Sequence, residues 1–410
     1  MGMHFVRGVA GGWSPALRRA VLGLVVTLLS CDSKPDPRPT GPSSESPALT
    51  WVSIPAADPK VQYLGRTYRS PVGVVFSHPG VTIRARFRGD AVRVRLDDAG
   101  VGDETGTNYF DVVVDGSPPR LLEVRPGEST YPLVSGLEVG VHTVELTKRT
   151  ESLVGASTLV ALEVHGELME PPLRPVLRME FVGDSITCGY GTEVSVIPGT
   201  PPWRAPTFTS RNQNPRRSYG WLTAAQLGAE AVFICYSGHG IYRNLDMTTS
   251  GLVPAIYELA VPDHPHTWDF ASESPDVIVL NAGTNDTFAG SGTQAFLPDE
   301  GTFKSAYRTF LERLRVLHPR AHIICTLGSM TDGYKRSESN GSVTAVHVGD
   351  WISALVTERQ RKGDTRVYRH EMRVQDPSVD GIGEDWHPSA ATHEKMARGL
   401  RLFIQDVVRP

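Results

Sequence analysis

The chain changes rhythm near residue 175, and that change governs what it can fold into. Between about residues 51 and 168 apolar and polar residues alternate over short runs. Val81-Thr-Ile-Arg-Ala-Arg-Phe87 and Ala91-Val-Arg-Val-Arg-Leu96 both keep period two, and Gly89-Asp90 between them is a hairpin signal. Strands are expected again at 109–114, which runs into Asp115-Gly116, at 141–146 and at 159–164. No helical stretch interrupts them. Many short strands punctuated by turns bury a shared apolar face between sheets, so residues 51–170 are expected to form an all-β sandwich of the jelly-roll kind.

Beyond Glu170-Pro-Pro-Leu-Arg-Pro175 strand and helix alternate. Strands are predicted at 178–182, 231–236, 276–280 and 322–327, and helices at 219–227, 302–317, 343–362 and 388–407. Apolar strands separated by helices make a parallel sheet covered on both faces, here over residues 175–410. Ligands of such sheets collect beyond the carboxyl ends of the strands. The 410 residues are enough for two cores, since one core stops growing at roughly 250–300 residues. With 41 basic against 45 acidic residues and no long run of one sign, the chain lacks the electrostatic footprint of a nucleic-acid binder.

The first thirty residues are of another kind. Arg7, Arg18 and Arg19 precede an apolar run from Ala20 to Leu29, the order of an export signal and too short to span a bilayer. The run ends Leu28-Leu29-Ser30-Cys31, which resembles the lipobox of bacterial lipoproteins, so residues 1–30 are expected to be removed and Cys31 to carry a lipid. An ordinary secretory signal is the alternative. Either way the protein is exported, as a cell-envelope lipoprotein or in secreted form, and a lipid anchor would be its one contact with a membrane. Residues 31–50, rich in Pro and Ser, read as an extended spacer. Cys188, Cys235 and Cys325 have no zinc-site spacing; free buried thiols are expected, with one disulfide of unspecified pairing as the alternative.

Four segments in the second half carry chemistry. Phe181-Val-Gly-Asp-Ser185-Ile-Thr-Cys-Gly-Tyr-Gly191 sets a serine in a glycine-flanked turn straight after a strand. Its hydroxyl needs a base to become a nucleophile. Cys235-Tyr-Ser-Gly238-His-Gly240 and Leu280-Asn-Ala-Gly-Thr-Asn285-Asp286 offer a backbone and an amide N–H, the donors an oxyanion requires. Gly383-Glu-Asp-Trp-His387-Pro388 places a histidine on a loop, with Pro388 expected to open the last helix. Each is weak alone, but together they supply nucleophile, donors and base in order. No G-x-S-x-G elbow, phosphate loop or dinucleotide fingerprint is present, and no cofactor or metal is expected; His264-Pro-His266 reads as a surface loop and His393 as a helix residue.

These blocks resemble the SGNH (GDSL-type) hydrolase superfamily at Gly183-Asp184-Ser185, Gly238, Gly283-Thr284-Asn285-Asp286 and His387. The surrounding wording is closer still to carbohydrate esterase family 2: residues 178–191, Trp268-Asp-Phe270, residues 385–396, and in the first half Tyr63-Leu-Gly-Arg66, Asn108-Tyr109, Val114-Asp-Gly116 and residues 142–151. The resemblance covers roughly residues 55–408. It implies a flavodoxin-like α/β SGNH-hydrolase domain behind a jelly roll, and an acetyl esterase acting on sugar hydroxyls of xylan- or glucomannan-type polysaccharides.

By the same resemblance Ser185 attacks the acetyl carbonyl, His387 takes and returns its proton, and the N–H groups of Ser185 and Gly238 with the Asn285 side chain hold the oxyanion; Gly240 is the lesser alternative to Gly238. The acid that orients His387 is expected to be Asp385, with Glu384 or a backbone carbonyl as alternatives. Trp386 is a candidate wall against a sugar face or a plug beneath the loop, and Asp184 and Asp286 are expected to brace the turns. Two other readings stay open: a carbohydrate-binding lipoprotein with an inactive hydrolase half, and an esterase for another acetylated substrate such as peptidoglycan. The protein is expected to act as a monomer.

Overall fold

A computed structural model describes residues 48–199, 204–287, 299–330, 334–337 and 343–408. The export signal, Cys31 and most of the spacer lie outside the described residues. The first half holds ten strands among them: β1 (Trp51–Pro55), β2 (Gln62–Leu64), β3 (Tyr68–Arg69), β4 (Val74–Phe76), β5 (Thr82–Asp98), β6 (Tyr109–Val114), β7 (Arg120–Glu123), β8 (Thr130–Val134), β9 (Gly140–Lys148) and β10 (Ser157–Met169). All pair antiparallel, along the order β3-β4-β10-β5-β9-β6-β7, with β1 on β10 and β2 and β8 on β5. Their inward residues close on one apolar core that includes Phe76, Phe87, Val94, Phe110 and Leu162.

The hairpin expected at Gly89-Asp90 does not form. β5 runs through it as one strand of 17 residues, and its buried positions shift phase between Ala91 and Val92. The register against β10 slips at His165/Gly166, a β-bulge in place of a turn. A Cβ on Gly89 would lie 2.0 Å from the His165 carbonyl oxygen, so this glycine serves a close approach between strands.

The second half contains β11 (Arg178–Gly183), α1 (Ser185–Cys188), α2 (Tyr219–Leu227), β12 (Glu230–Cys235), α3 (Val253–Tyr257), β13 (Val277–Asn281), α4 (Thr284–Thr287), α5 (Glu300–Leu317), β14 (His322–Thr326), β15 (Tyr334–Ser337), β16 (Val343–Val346), α6 (Val348–Arg361), β17 (Val367–Arg369), α7 (Pro377–Asp380) and α8 (Ala390–Val407). The parallel sheet has the order β12-β11-β13-β14-β17. Its strands alternate: Phe181, Val277 and Val279 face α2 and α8, whereas Val182, Ile278 and Leu280 face α3, α5 and α6. Strand order switches sides between β11 and β13, and the crevice beyond their carboxyl ends is where such sheets bind ligands. Two boundaries differ from expectation. Residues 343–346 pair with 334–337 as a small antiparallel ribbon before α6 begins. Pro388 stays outside α8, because Ser389 takes the N-cap and accepts the Thr392 N–H at 3.3 Å.

One arginine locks the two halves together. Arg66, fully buried, donates through Nη1 to the carbonyls of Tyr257 and Leu259 at 2.5 and 3.2 Å and pairs through Nη2 with buried Glu180 of β11 at 3.5 Å. Its guanidinium lies 4.5, 5.3 and 5.2 Å from the ring centroids of Tyr257, Trp268 and Phe270. The Tyr257 hydroxyl donates to Glu180 at 2.6 Å, completing that carboxylate's environment. Arg66→Ala strands the Glu180 charge, so chemical denaturation is expected to show a loss of about 3–5 kcal/mol; a loss below about 1 kcal/mol would refute this interlock.

Candidate active site

Every piece of the site sits at the carboxyl end of a strand or the start of α8. β11 ends at Gly183, Asp184 caps α1 by accepting the Ile186 N–H at 3.0 Å, and Ser185 follows directly. Burial pushes the Asp184 carboxyl up to about 7. From the far end of the chain, His387 brings Nε2 to 2.7 Å from Ser185 Oγ. Its Nδ1 lies 3.0 Å from the Glu384 carbonyl oxygen. A carbonyl can only accept, so Nδ1 carries the proton and Nε2 presents its lone pair to the serine hydroxyl. Desolvation pulls the His387 imidazole down to about 4, which leaves it neutral near pH 7 with its Nε2 lone pair free to accept a proton.

Neither carboxylate expected to orient His387 touches it. Asp385 turns its Oδ2 to the Tyr190 hydroxyl at 2.7 Å and the Phe208 N–H at 3.1 Å. Glu384 accepts from Thr209 N, Thr209 Oγ1 and Asn212 Nδ2 at 3.1, 3.0 and 2.7 Å. The cause is local backbone. Asp385 and Trp386 both take left-handed conformations, φ 46° and 65°, which swing the side chain of Asp385 outward and turn the Glu384 carbonyl toward the ring. Consecutive non-glycine residues there are strained, and the stored strain sits beside His387. The residue favoured for the orienting role is therefore placed elsewhere, and the backbone carbonyl occupies its position.

α4 carries Asn285 and Asp286, which fasten the loop after β12. The Asp286 carboxylate accepts the backbone N–H groups of Ile241, Tyr242 and Arg243 at 2.9, 2.8 and 3.2 Å, fixing the loop that follows β12. Asn285 donates one amide hydrogen to the His239 carbonyl at 2.8 Å, which fastens it beside Gly238 and leaves a second N–H. Gly240 spends its N–H on Asn244 Oδ1 at 3.1 Å, and a Cβ there would lie 2.0 Å from the Arg243 carbonyl oxygen. It is a packing glycine. Gly238, at φ 80°, has no such commitment among the described residues. A cleft of ≈ 450 Å³ borders Gly238, lined also by His239, Asn244, Leu245 and Asp246.

A profile of the carbohydrate esterase 2 N-terminal domain matches residues 63–172, and one of the GDSL-like lipase/acylhydrolase family matches residues 181–395. The solved structure of a family two carbohydrate esterase from Clostridium thermocellum in complex with cellohexaose shares 32% identity and a TM-score of 0.73, over 85% of this chain and 99% of that one. The chain belongs to carbohydrate esterase family 2. Cellulase/esterase CelE of Acetivibrio thermocellus is 35% identical over 351 residues, 85% of this chain, which spans 40% of CelE. An acetylxylan esterase / glucomannan deacetylase of Cellvibrio japonicus is 29% identical over 364 residues, 87% of this chain and 91% of the relative.

In this family 2 chain Trp386 is 47% exposed on the loop beside His387, too open for a plug beneath it. His393 is buried and its Nδ1 accepts the Tyr219 N–H at 3.0 Å, a packing role. His264 meets the Tyr68 hydroxyl at 3.1 Å and His266 stacks on the Tyr68 ring at 4.0 Å. Cys188 and Cys235 form a disulfide in place of the two free thiols expected, because Gly183 and Cys235 pair across β11 and β12 and α1 folds Cys188 back over them. Cys325 alone is a free thiol among the described residues, pushed up to about 12 by burial.

Glu151, at the end of a segment that carries part of the resemblance, has a role that no sequence pattern signals. From the first half it reaches under the Gly238 loop, accepting from Ser237 N and Oγ at 2.6 and 2.5 Å and from Gln213 Nε2 at 2.7 Å. Bonds to a buried carboxylate are worth about 1.5–3 kcal/mol each. Glu151→Ala is expected to lower kcat by about tenfold or more through a loosened Gly238 loop, checked by steady-state kinetics; unchanged kcat in a folded variant would show that the loop needs no such support.

Proposed function

We propose that this chain hydrolyses acetyl esters on sugar hydroxyls of xylan- or glucomannan-type polysaccharides through an acetyl-enzyme on Ser185. The observation that carries the reading is the 2.7 Å contact of His387 Nε2 with Ser185 Oγ, with the tautomer set by the Glu384 carbonyl. As the Ser185 oxygen bonds to the acetyl carbon, its proton passes to His387. The same proton then goes to the departing sugar alkoxide, and water, deprotonated by His387, releases acetate. The Ser185 and Gly238 N–H groups and Asn285 are assigned to the oxyanion. Trp386 and the cleft beside Gly238 offer an apolar face and polar edges to a glycan.

The names of the relatives support the polysaccharide class: an acetylxylan esterase / glucomannan deacetylase, and a family two esterase bound to cellohexaose. The paired serine and histidine favour catalysis over a purely carbohydrate-binding role. The β-rich half is assigned as a jelly roll. Residues 1–50 are assigned as an export signal, a lipid site at Cys31 and a spacer that place the enzyme in the cell envelope. Among the described residues no helix is long and apolar enough to cross a membrane. The test is acetate release by the full chain from acetylated glucomannan, acetylated xylan, O-acetylated peptidoglycan and 4-nitrophenyl acetate. Preference for either plant polysaccharide supports the reading, and preference for peptidoglycan refutes it.

A further inference from the structure

With no carboxylate on Nδ1, the positive charge that His387 acquires during catalysis faces a neutral carbonyl, a weaker partner than a carboxylate. A different group lies over the ring. Tyr190 stacks on His387 with centroids 4.0 Å apart and planes 25° apart. Phe208 stacks on Tyr190 at 4.6 Å and 29°. Two rings that near and that parallel to Tyr190 would collide on one side, so they occupy opposite faces and Phe208 backs the tyrosine against the imidazole. The Asp385 carboxylate receives the Tyr190 hydroxyl at 2.7 Å and the Phe208 N–H at 3.1 Å, which fixes both layers of the stack. The Tyr190 N–H donates to the Ser185 carbonyl at 3.1 Å, tying the same residue to the nucleophile's turn.

We propose that the Tyr190 ring stabilises the imidazolium that His387 becomes on taking the Ser185 proton, and that Asp385 is a positioning residue acting through the Tyr190 phenol. The inference rests on the serine esterase reading above. A cation over an aromatic face is attracted by the ring's negative quadrupole, more strongly where water is excluded. A phenol that donates its hydrogen bond to a carboxylate gains electron density, which deepens that attraction. The proton balance is simple: as the Ser185 oxygen bonds to the carbonyl carbon, its hydrogen moves to Nε2, one positive charge appears beneath Tyr190 and one negative charge appears on the oxyanion. Both vanish when the proton passes to the leaving alkoxide. The left-handed backbone at Asp385 thus has a use: it directs the carboxylate to the tyrosine that covers the base. Among the described residues the other titratable groups acting on this pair are Glu384, held by Thr209 and Asn212, Glu151, which with it adds to burial in pushing the Tyr190 phenol up, and His393 on α8, itself lowered to about 3, chiefly by burial.

The test follows hydrolysis of 4-nitrophenyl acetate by the full chain across pH 3–8, with kcat and KM resolved. The variants are Tyr190→Leu, Tyr190→Phe, Asp385→Asn and the double Tyr190→Phe/Asp385→Asn, with Ser185→Ala beside them and thermal melts confirming folding. Tyr190→Leu is expected to lower plateau kcat by about ten- to thirtyfold with KM little changed, and to move the acidic limb down by about one pH unit. Tyr190→Phe and Asp385→Asn should each cost about threefold, and the double variant no more than either alone, because both remove one interaction. Tyr190→Phe and Asp385→Asn answer the question if the leucine variant does not fold. A loss confined to KM, an unmoved acidic limb, or single effects that multiply in the double variant would each overturn the proposal. Inactive Ser185→Ala beside an unaltered Tyr190→Leu would sink this inference alone, whereas active Ser185→Ala would sink the esterase reading beneath it.

Discussion

Ser185→Ala and His387→Ala are each expected to cut turnover of an acetyl ester by roughly 10³–10⁶, without a comparable change in melting temperature. The size follows from the geometry. The pair share one hydrogen bond at 2.7 Å, so each is useless to the chemistry without the other, and the double variant should be barely worse than either single one. Folding is spared because neither side chain fills the apolar cores: the cluster beside the serine is made by Phe181, Ile186, Tyr219 and Phe233. The neutral state of His387 sets the pH behaviour. Its folded value is lowered to about 4, so activity needs the unprotonated ring and is lost as pH falls through about 4, in contrast to the loss near 6.5 of an unperturbed imidazole. A kcat/KM profile with its acidic midpoint above about 6 would contradict the desolvated histidine.

Asn285→Ala is expected to lower kcat by about 10²–10³, the usual cost of one preorganised oxyanion donor. The residue is fixed rather than flexible: one amide hydrogen is bonded to the His239 carbonyl, and its neighbour Asp286 anchors the backbone of residues 241–243. Preorganisation is what makes the donor effective, since no dipole has to turn when the oxyanion forms. The loss should fall on kcat, with KM within a few fold, in steady-state assays with 4-nitrophenyl acetate. Retained activity in Asn285→Ala would remove this side chain from the oxyanion site.

The features legible in the sequence were those that depend on neighbours in the chain. Apolar runs marked β11, β13 and β14, and the turns that follow β11 and β13 carry Ser185 and Asn285 because a parallel sheet exposes its polar ends there. Features that depend on distant backbone were not legible. Gly89-Asp90 has the composition of a turn, yet the long partner β10 continues past it and β5 takes up the extra residue, Asp90, as a bulge. Asp385 stands two residues before the base, a spacing that suggests contact, and only the left-handed φ of 46° directs it to Tyr190. The Cys188–Cys235 pair joins residues 47 positions apart that the β11–β12 pairing and the fold of α1 bring to a Cα separation of 5.7 Å. Arg66 and Glu151 act across the two halves, where no periodicity in either half points to them.

The most direct test of the central claim is covalent labelling of the full chain with diethyl 4-nitrophenyl phosphate, followed by intact mass measurement and peptide mapping. The account predicts one diethyl phosphoryl group per chain, on Ser185, with acetyl esterase activity lost in proportion to its incorporation and no such labelling in His387→Ala. Activity that survives full occupancy of Ser185, or activity lost while Ser185 stays unmodified, would contradict it.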